Sequence, residues 1–219
     1  MVGLALIASP RQGNTAAAAQ DLLDAWSGPE RETKEVFLDR LRLQPIGDCR
    51  RCMQAGQCSK HDSFPELMQD VYSAELLVLA TPLYWYGPSA QLKIFIDRWS
   101  CLLDTEGDAF RARMRGKRTV LLLAQGEQGF YEAALCLQML DWTLRYLDMV
   151  VAARIVVVGH RRTDYARDPL QRHAVRSRGE DLVTGRTVHD HLPPWAHMPH
   201  QPGTPLGGVF KHDVRLPEP

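Results

Sequence analysis

The chain has 219 residues, of which 45% are hydrophobic and 24% charged, and this leaves ample apolar material for the core of one globular domain. Lys plus Arg equals Asp plus Glu at 26 each, so the basic excess expected of a nucleic-acid-binding domain is missing. No apolar run approaches the ~20 residues that a membrane span needs. The N-terminus shows no secretory leader, so we expect a cytoplasmic protein whose five cysteines are thiols or ligands rather than disulfides.

Short apolar runs alternate with helical patterns along most of the chain. The apolar runs predict strands over 2–8, 33–39, 75–81, 118–125 and 150–159. Apolar residues at helical spacing predict helices over 15–26, 64–73, 89–103, 128–147 and 168–183. This alternation predicts an α/β fold, a flavodoxin-like doubly wound parallel sheet of order 2-1-3-4-5 with helices on both faces. Ligands of such sheets bind beyond the carboxyl ends of the strands, here at the loops after strands one, three and four.

The C-terminal segment 185–219 differs in composition from the rest. It holds seven of the 14 prolines and five of the eight histidines, and it shows no periodicity. We therefore expect one domain over 1–184 and a Pro/His-rich extension over 185–219. The extension is either a tail without a core of its own or an arm that docks through anchors such as Trp195 and Phe210.

The loop after the first strand is suited to bind an anion. Its sequence, SPRQGNT, contains neither the dinucleotide fingerprint nor a Walker motif. It offers two hydroxyls, an amide, a guanidinium fork and a glycine that lets the backbone approach closely, and a helix begins at its end. These features predict a site for a single phosphate monoester; the alternative is a plain turn with the amide or the second hydroxyl as helix cap. The residues concerned are Ser9, Arg11, Gly13, Asn14 and Thr15.

The loop after the third strand is aromatic where a polar loop is expected. Tyr84, Trp85 and Tyr86 follow Pro82 and Leu83 and precede Gly87. Clustered rings at the mouth of a sheet predict a flat surface on which a planar heterocycle stacks, although they could instead cover the core or a subunit contact. A phosphate site and a ring surface on adjacent loops together indicate FMN. The small polar loop 125–129, with Gln125 and Gly126, would close the third side.

With these motifs the chain resembles the NADPH-dependent FMN reductase and iron–sulfur flavoprotein group of the flavodoxin-like superfamily. That group carries S-P-R-x-x-N-[TS] after strand one, where this chain has SPRQGNT. It also carries [ST]-P-x-Y after strand three and then K-x-x-x-D-R, where this chain has TPLY and KIFIDR. A cysteine segment lies between the two loops, and the match extends to about residue 184.

The resemblance implies an enzyme in which FMN passes electrons from NAD(P)H to a small acceptor such as a quinone, a nitro or azo compound, ferric iron or free flavin. It implies a homodimer or tetramer. Hydride transfer to a bound flavin does not strictly require a protein acid or base, so we name no catalytic residue. An electron carrier like flavodoxin and a flavin-based redox sensor are the alternatives. The implied phosphate ligands are Ser9, Arg11, Asn14 and Thr15, and the residues implied around the isoalloxazine ring are Pro82, Leu83, Tyr84, Trp85 and Gly87.

The cysteine segment departs from the cluster-bearing members of the group. Cys49, Cys52 and Cys58 have the spacing C-x2-C-x5-C, and Ala55 stands where a further ligand is expected. A [4Fe–4S] cluster needs four thiolates, so we expect free thiols and no metal. The alternative is zinc held by these three cysteines and His61. Helix patterns contain Cys101 and Cys136, which we expect to be small buried residues.

Overall fold

The computed structural model describes residues 1–47, 49–56, 58–126 and 131–185. Its sheet contains β1 (Val2–Ile7), β2 (Glu32–Phe37), β3 (Leu76–Tyr84), β4 (Gly87–Pro88), β5 (Arg118–Gln125) and β6 (Val150–Val158). Five strands pair in parallel in the order β2-β1-β3-β5-β6, which confirms the predicted fold and the order of its main strands. The sequence does not anticipate β4, which pairs antiparallel with the end of β3 and makes the complete strand order differ from the prediction.

Helices cover both faces of the sheet. They are α1 (Asn14–Trp26), α2 (Arg51–Ala55), α3 (Phe64–Ser73), α4 (Ala90–Asp97), α5 (Trp99–Glu106), α6 (Asp108–Met114), α7 (Tyr131–Tyr146) and α8 (Pro169–Val183), with short 3-10 helices at Leu38–Arg40 and Tyr165–Arg167. Alternating residues of each buried strand enter separate cores. One core packs against α3, α4 and α7, and the other against α1 and α8.

The prediction of one continuous helix over 89–103 is wrong. The structure has two helices there, because α4 ends before Arg98 and α5 begins after it. The apolar stripe runs through both helices, so the periodicity alone shows no interruption. The Arg98 side chain is turned into the interior, where it meets a buried carboxylate. The helices α2 and α6 are also absent from the prediction, since each spans fewer than eight residues.

Part of the prediction lies outside the described residues. This applies to 186–219, so the role of the extension stays a prediction, as does the division of the chain near residue 184. It applies also to 127–130 of the third loop. Within the residues that the structure describes, no helix is both long and apolar enough to cross a membrane.

Candidate functional site

A cavity of about 210 Å³ opens at the carboxyl edge of the sheet. Loops that follow β1, β3, β5 and β6 meet there. The cavity brings together ten of the thirteen predicted binding residues, while Trp85, Tyr86 and Gly87 do not line it. The lining residues are Ser9, Arg11, Gly13, Asn14, Thr15, Pro82, Leu83, Tyr84, Ala124, Gln125, Gly126, Gly159, His160, Arg161 and Arg162.

The loop after β1 is shaped by its own polar groups. The Ser9 hydroxyl donates to the carbonyl of Arg11 at 2.9 Å and accepts from the backbone N–H of Arg11 at 3.3 Å. The following helix α1 has Gly13 as its N-cap, with no side chain capping it and no acidic residue in its first turn. This does not fit the alternative of Asn14 or Thr15 as helix cap. The free N–H groups and the positive end of the helix dipole therefore remain available for an anion.

The Asn14 side chain has a structural role that the sequence did not suggest. Its Nδ2 donates both hydrogens to carbonyls of the loop after β6, at 3.0 Å to Gly159 and 2.9 Å to Arg161. Its Oδ1 accepts from the backbone N–H of Tyr165 at 3.2 Å. Because the amide is fully engaged, only the backbone N–H of Asn14 is left to offer an anion. The side chain instead joins the first and last loops of the site.

The loop after β6 is the part of the cavity that sequence reasoning missed. It contributes Gly159 and three basic side chains, those of His160, Arg161 and Arg162. A Cβ on Gly159 would lie 2.4 Å from Nδ2 of Asn14, so the close approach of the two loops requires glycine here. The signal in the sequence is the run Gly-His-Arg-Arg directly after the fifth strand.

Two buried hydroxyls connect the aromatic loop to the end of β1. Thr81 Oγ1 accepts from the backbone N–H of Ser89 at 3.0 Å. Ser89 Oγ donates to the carbonyl of Ala8 at 2.7 Å and caps α4 by accepting from the N–H of Leu92. Ala8 directly precedes the loop after β1. These hydrogen bonds therefore fix the position of the aromatic loop relative to the loop after β1.

The aromatic loop is a tight β-hairpin with a strained turn. β3 and β4 pair through Tyr84 and Gly87, which leaves Trp85 and Tyr86 as the two turn residues. Both have positive φ, at 49° and 64°, a conformation that glycine and asparagine normally supply in such turns. The Trp85 side chain is 96% exposed and Tyr86 58% exposed. Bulky rings held in a strained and exposed turn suggest that they serve a purpose other than folding.

The predicted cysteine segment lies beside a buried ion pair. Arg98 Nη1 lies 2.6 Å from Oδ2 of Asp62, and the two side chains are 1% and 0% exposed. Burial works to raise the pKa of Asp62, but hydrogen bonds from Arg98 and from two backbone N–H groups lower it overall. Arg98 Nη2 lies 3.5 Å from Sγ of Cys58, and the guanidinium covers the ring of Phe64. The Arg of the K-x-x-x-D-R motif is therefore a structural residue that anchors this segment.

The cysteines differ in their surroundings. Cys49 is exposed, Cys52 buried and Cys58 half-buried. In the part of the chain that the structure describes, no group of three or more His, Cys, Asp or Glu is arranged to hold a metal ion. Cys136 is buried, which confirms the prediction for it, and this burial raises the pKa of its thiol to about 12. Cys101 is half-buried rather than buried.

The other two residues of the K-x-x-x-D-R motif form a surface pair. Lys93 Nζ lies 2.7 Å from Oδ1 of Asp97 one helical turn away, with side chains 48% and 34% exposed. An exposed pair of this kind stabilises a helix by only about 0.3–0.5 kcal/mol. Neither residue lines the cavity, so the structure gives them no part in the site.

The chemistry of the cavity fits a phosphorylated ligand with an apolar ring. Among the described lining residues there is no carboxylate, while there are three arginines, a histidine and the aliphatic hydroxyls of Ser9 and Thr15. At the other side Pro82, Leu83 and Tyr84 supply an apolar wall. Gln125 and Gly126, at the end of β5, complete the described lining together with Ala124 and the residues of the other loops. The residues present therefore fit FMN, which has both a phosphate and a planar ring.

Comparison with known proteins identifies the family to which the chain is similar. The sequence profile of the family described as NADPH-dependent FMN reductase matches residues 1–163. A Bacillus subtilis protein named as an NAD(P)H-dependent FMN-containing oxidoreductase, YwqN, is 27% identical over 157 residues, which cover 71% of this chain and 83% of that protein. The iron-sulfur flavoprotein MJ1083 of Methanocaldococcus jannaschii is 34% identical over 91 residues, which cover 41% of this chain and 47% of that protein.

A solved structure has the same fold. The FMN-dependent NADH-azoreductase from Bacillus anthracis, solved in complex with FMN, superposes with a TM-score of 0.63. The alignment covers 84% of this chain and all of that one (100%), at 13% sequence identity. At that level of identity the similarity supports the flavodoxin-like fold alone.

Proposed function

Because the chain belongs to the NADPH-dependent FMN reductase family, we propose that it transfers electrons from NAD(P)H through FMN, bound in the cavity, to a small acceptor. One observation carries the proposal: the fold brings a loop suited to bind an anion and the first aromatic residue of the hairpin, Tyr84, to the same cavity. When bound, FMN would supply the redox chemistry that links oxidation of the nicotinamide to reduction of the acceptor. The protein has to hold the flavin, keep one face of its ring open and admit both substrates in turn.

Different residues around the cavity would bind the phosphate, hold the loop in shape and contact the ring. The backbone N–H groups at the start of α1 and the Arg11 guanidinium would bind the phosphate, since both favour a dianion. Ser9 is buried and holds the loop in shape through its two bonds to Arg11. Thr15 is also buried, at the floor of the first turn. The backbone of Gly126, at the end of β5, is unobstructed by a side chain and can approach the edge of the ring.

The hairpin would provide the surface on which the substrates bind. Tyr84 lines the cavity and is 43% exposed, so its ring can contact the flavin and still reach solvent. Trp85 and Tyr86 extend the aromatic surface outward from there. A flat aromatic acceptor would stack in the space that the nicotinamide leaves, which gives ping-pong kinetics. The family assignment does not favour the alternatives of an electron carrier or a sensor.

The acceptor is tested by steady-state NAD(P)H oxidation with a quinone, an azo dye, a nitroaromatic compound, a ferric chelate and free FMN in parallel. We expect a quinone or another planar aromatic acceptor to give the highest kcat/KM, and parallel lines in double-reciprocal plots. Fastest turnover with the ferric chelate would contradict the role given to the hairpin. Flavin bound but reduced by neither nicotinamide would contradict the proposed enzyme.

We also propose that two copies of the chain associate through α7 and the hairpin. Leu135, Trp142 and Tyr146 are exposed and lie at helical spacing along α7. This helix contacts β4 of the hairpin, which places it near the exposed turn residues Trp85 and Tyr86. Sedimentation equilibrium would test this: Leu135→Asp should shift the protein toward monomer, whereas the matched variant Leu170→Asp, at an exposed leucine of α8, should not.

A further inference from the structure

The loop after β6 places two arginines, Arg161 and Arg162, at the cavity. It is joined to the first loop by the three hydrogen bonds of Asn14 and by a fourth, from Arg162 Nε to the carbonyl of Gln12 at 2.7 Å. The first loop and the last loop of the sheet therefore form one unit around the end of α1. Whatever anion binds at α1 also faces the side chains of residues 160–162.

The two arginines of this loop are differently engaged. The Arg162 guanidinium is committed to Gln12 through its Nε. The Arg161 backbone is fixed, because its carbonyl accepts from Asn14 and its N–H donates to Oδ2 of Asp164 at 2.8 Å. Its side chain is exposed and lines the cavity. Among the described residues, no carboxylate lies within ion-pair distance of the Arg161 guanidinium or of Arg11.

The charge of a phosphate monoester can be compared with the positive charge that the site offers, and this comparison indicates a role for Arg161. A phosphate monoester carries about two negative charges at neutral pH. The N-terminus of a helix offers about half a positive charge, and Arg11 adds one more, which leaves about half a charge uncompensated. A second guanidinium more than covers this remainder. Besides Arg11, Arg161 is the cavity-lining arginine whose guanidinium has no partner among the described residues, since that of Arg162 bonds to Gln12.

We propose that Arg161 binds the 5′-phosphate of the flavin together with Arg11, so that the loop after β6 is the second half of a phosphate clamp. The inference rests on the proposed function, since it assumes that FMN occupies the cavity. The clamp makes the site selective for the phosphorylated flavin over riboflavin. Phosphate could also come from the 2′ position of NADPH, and the experiment separates these two sources.

The experiment compares Arg161→Gln with Arg167→Gln, a matched loss of one charge from an exposed arginine of the same segment that does not line the cavity. Binding of FMN and of riboflavin is measured by fluorescence titration of the flavin-free protein. We expect Arg161→Gln to weaken FMN binding by about ten- to a hundredfold, as for loss of a hydrogen bond to a charged group. Riboflavin binding should be unchanged, and Arg167→Gln should alter neither affinity.

Three outcomes would overturn the inference. The first is an Arg161→Gln variant that binds FMN as tightly as wild type. The second is an equal loss of FMN and riboflavin affinity, because that indicates a disturbed loop rather than a lost phosphate contact. The third is unchanged FMN affinity with a lost preference for NADPH over NADH in turnover, which would assign Arg161 to the nicotinamide. Wild-type protein that binds neither flavin would instead refute the proposed function itself, before any variant is compared.

Discussion

Replacing the two residues of the hairpin turn should stabilise the protein. Trp85 and Tyr86 both carry a Cβ at positive φ, where an L-residue loses roughly 1–2 kcal/mol relative to its ordinary conformation. Asn-Gly is the preferred pair for a two-residue turn of this kind. Trp85 is 96% exposed, so its removal gives up little packing. The double change Trp85→Asn with Tyr86→Gly should therefore raise the free energy of unfolding by about 1–3 kcal/mol.

The measurement is urea unfolding of the flavin-free protein, followed by far-UV circular dichroism. For a chain of this size, 1 kcal/mol corresponds to a shift of roughly 2–4 °C in Tm, so thermal unfolding should show the same order of variants. The matched control is Trp85→Ala with Tyr86→Ala, which removes both rings but keeps a Cβ at each positive φ. We expect no gain from the control. An Asn-Gly variant no more stable than the Ala-Ala control would refute the strain argument.

The same variant should lose function as it gains stability. Strain of this kind persists at sites where the side chains are needed for binding. We expect the Asn-Gly variant to bind the flavin phosphate normally but to oxidise NAD(P)H more slowly and to associate less. A stabilised variant with unchanged turnover and unchanged mass in solution would show that the exposed rings have no role in either process.

Three further changes test other parts of the account. Arg11→Ala should leave the fold intact and weaken FMN binding by about tenfold or more, as lost charge-assisted hydrogen bonds imply, and unchanged affinity in a flavin titration would contradict the phosphate site. Arg98→Leu leaves the buried Asp62 carboxylate without its ion-pair partner and should lower the free energy of unfolding by about 3–5 kcal/mol. Changing both residues to leucine should recover much of this loss. A loss below about 1 kcal/mol for Arg98→Leu in urea unfolding would contradict the importance of the buried pair. Asp21, whose pKa is lowered chiefly by its hydrogen bond from Arg172, contributes stability above its unfolded pKa that is lost as the pH falls through its lower folded pKa. Asp21→Asn should therefore be less stable than wild type at neutral pH by a margin that shrinks below about pH 4, and a margin independent of pH would contradict this.

The sequence predicts correctly those strands and loops whose structure depends on residues close together in the chain. Buried parallel strands read as continuous apolar runs, and the run 118–125 is a strand with those bounds in the structure. The anion-binding character of residues 9–15 is likewise visible, because it depends on residue types within one turn and on the helix that follows. The aromatic loop was recognisable for the same reason, although its pairing as a hairpin was not.

The features that escaped prediction depend on tertiary contacts. Nothing in the stripe of apolar residues from Leu92 to Leu103 shows that Arg98 turns inward, because its carboxylate partner lies 36 residues away at Asp62. The run Gly159–Arg162 matches no motif. It joins the site only because α1 crosses over β3 and β5 toward β6, which brings the loops after the first and last strands together. The same contact engages the side-chain amide of Asn14 in structural hydrogen bonds, so the sequence alone could not show that this amide is unavailable to a phosphate.

Electron transfer from NADPH to bound FMN can be observed by anaerobic titration of the FMN-loaded protein with NADPH, followed by the visible absorption of the flavin. Purified protein should retain or take up one FMN per chain, and one equivalent of NADPH should bleach the long-wavelength flavin band. Admitting a quinone should then restore the band. Protein that binds no FMN, or bound FMN whose spectrum neither NADPH nor NADH changes, would contradict the proposed NAD(P)H-dependent flavin reduction.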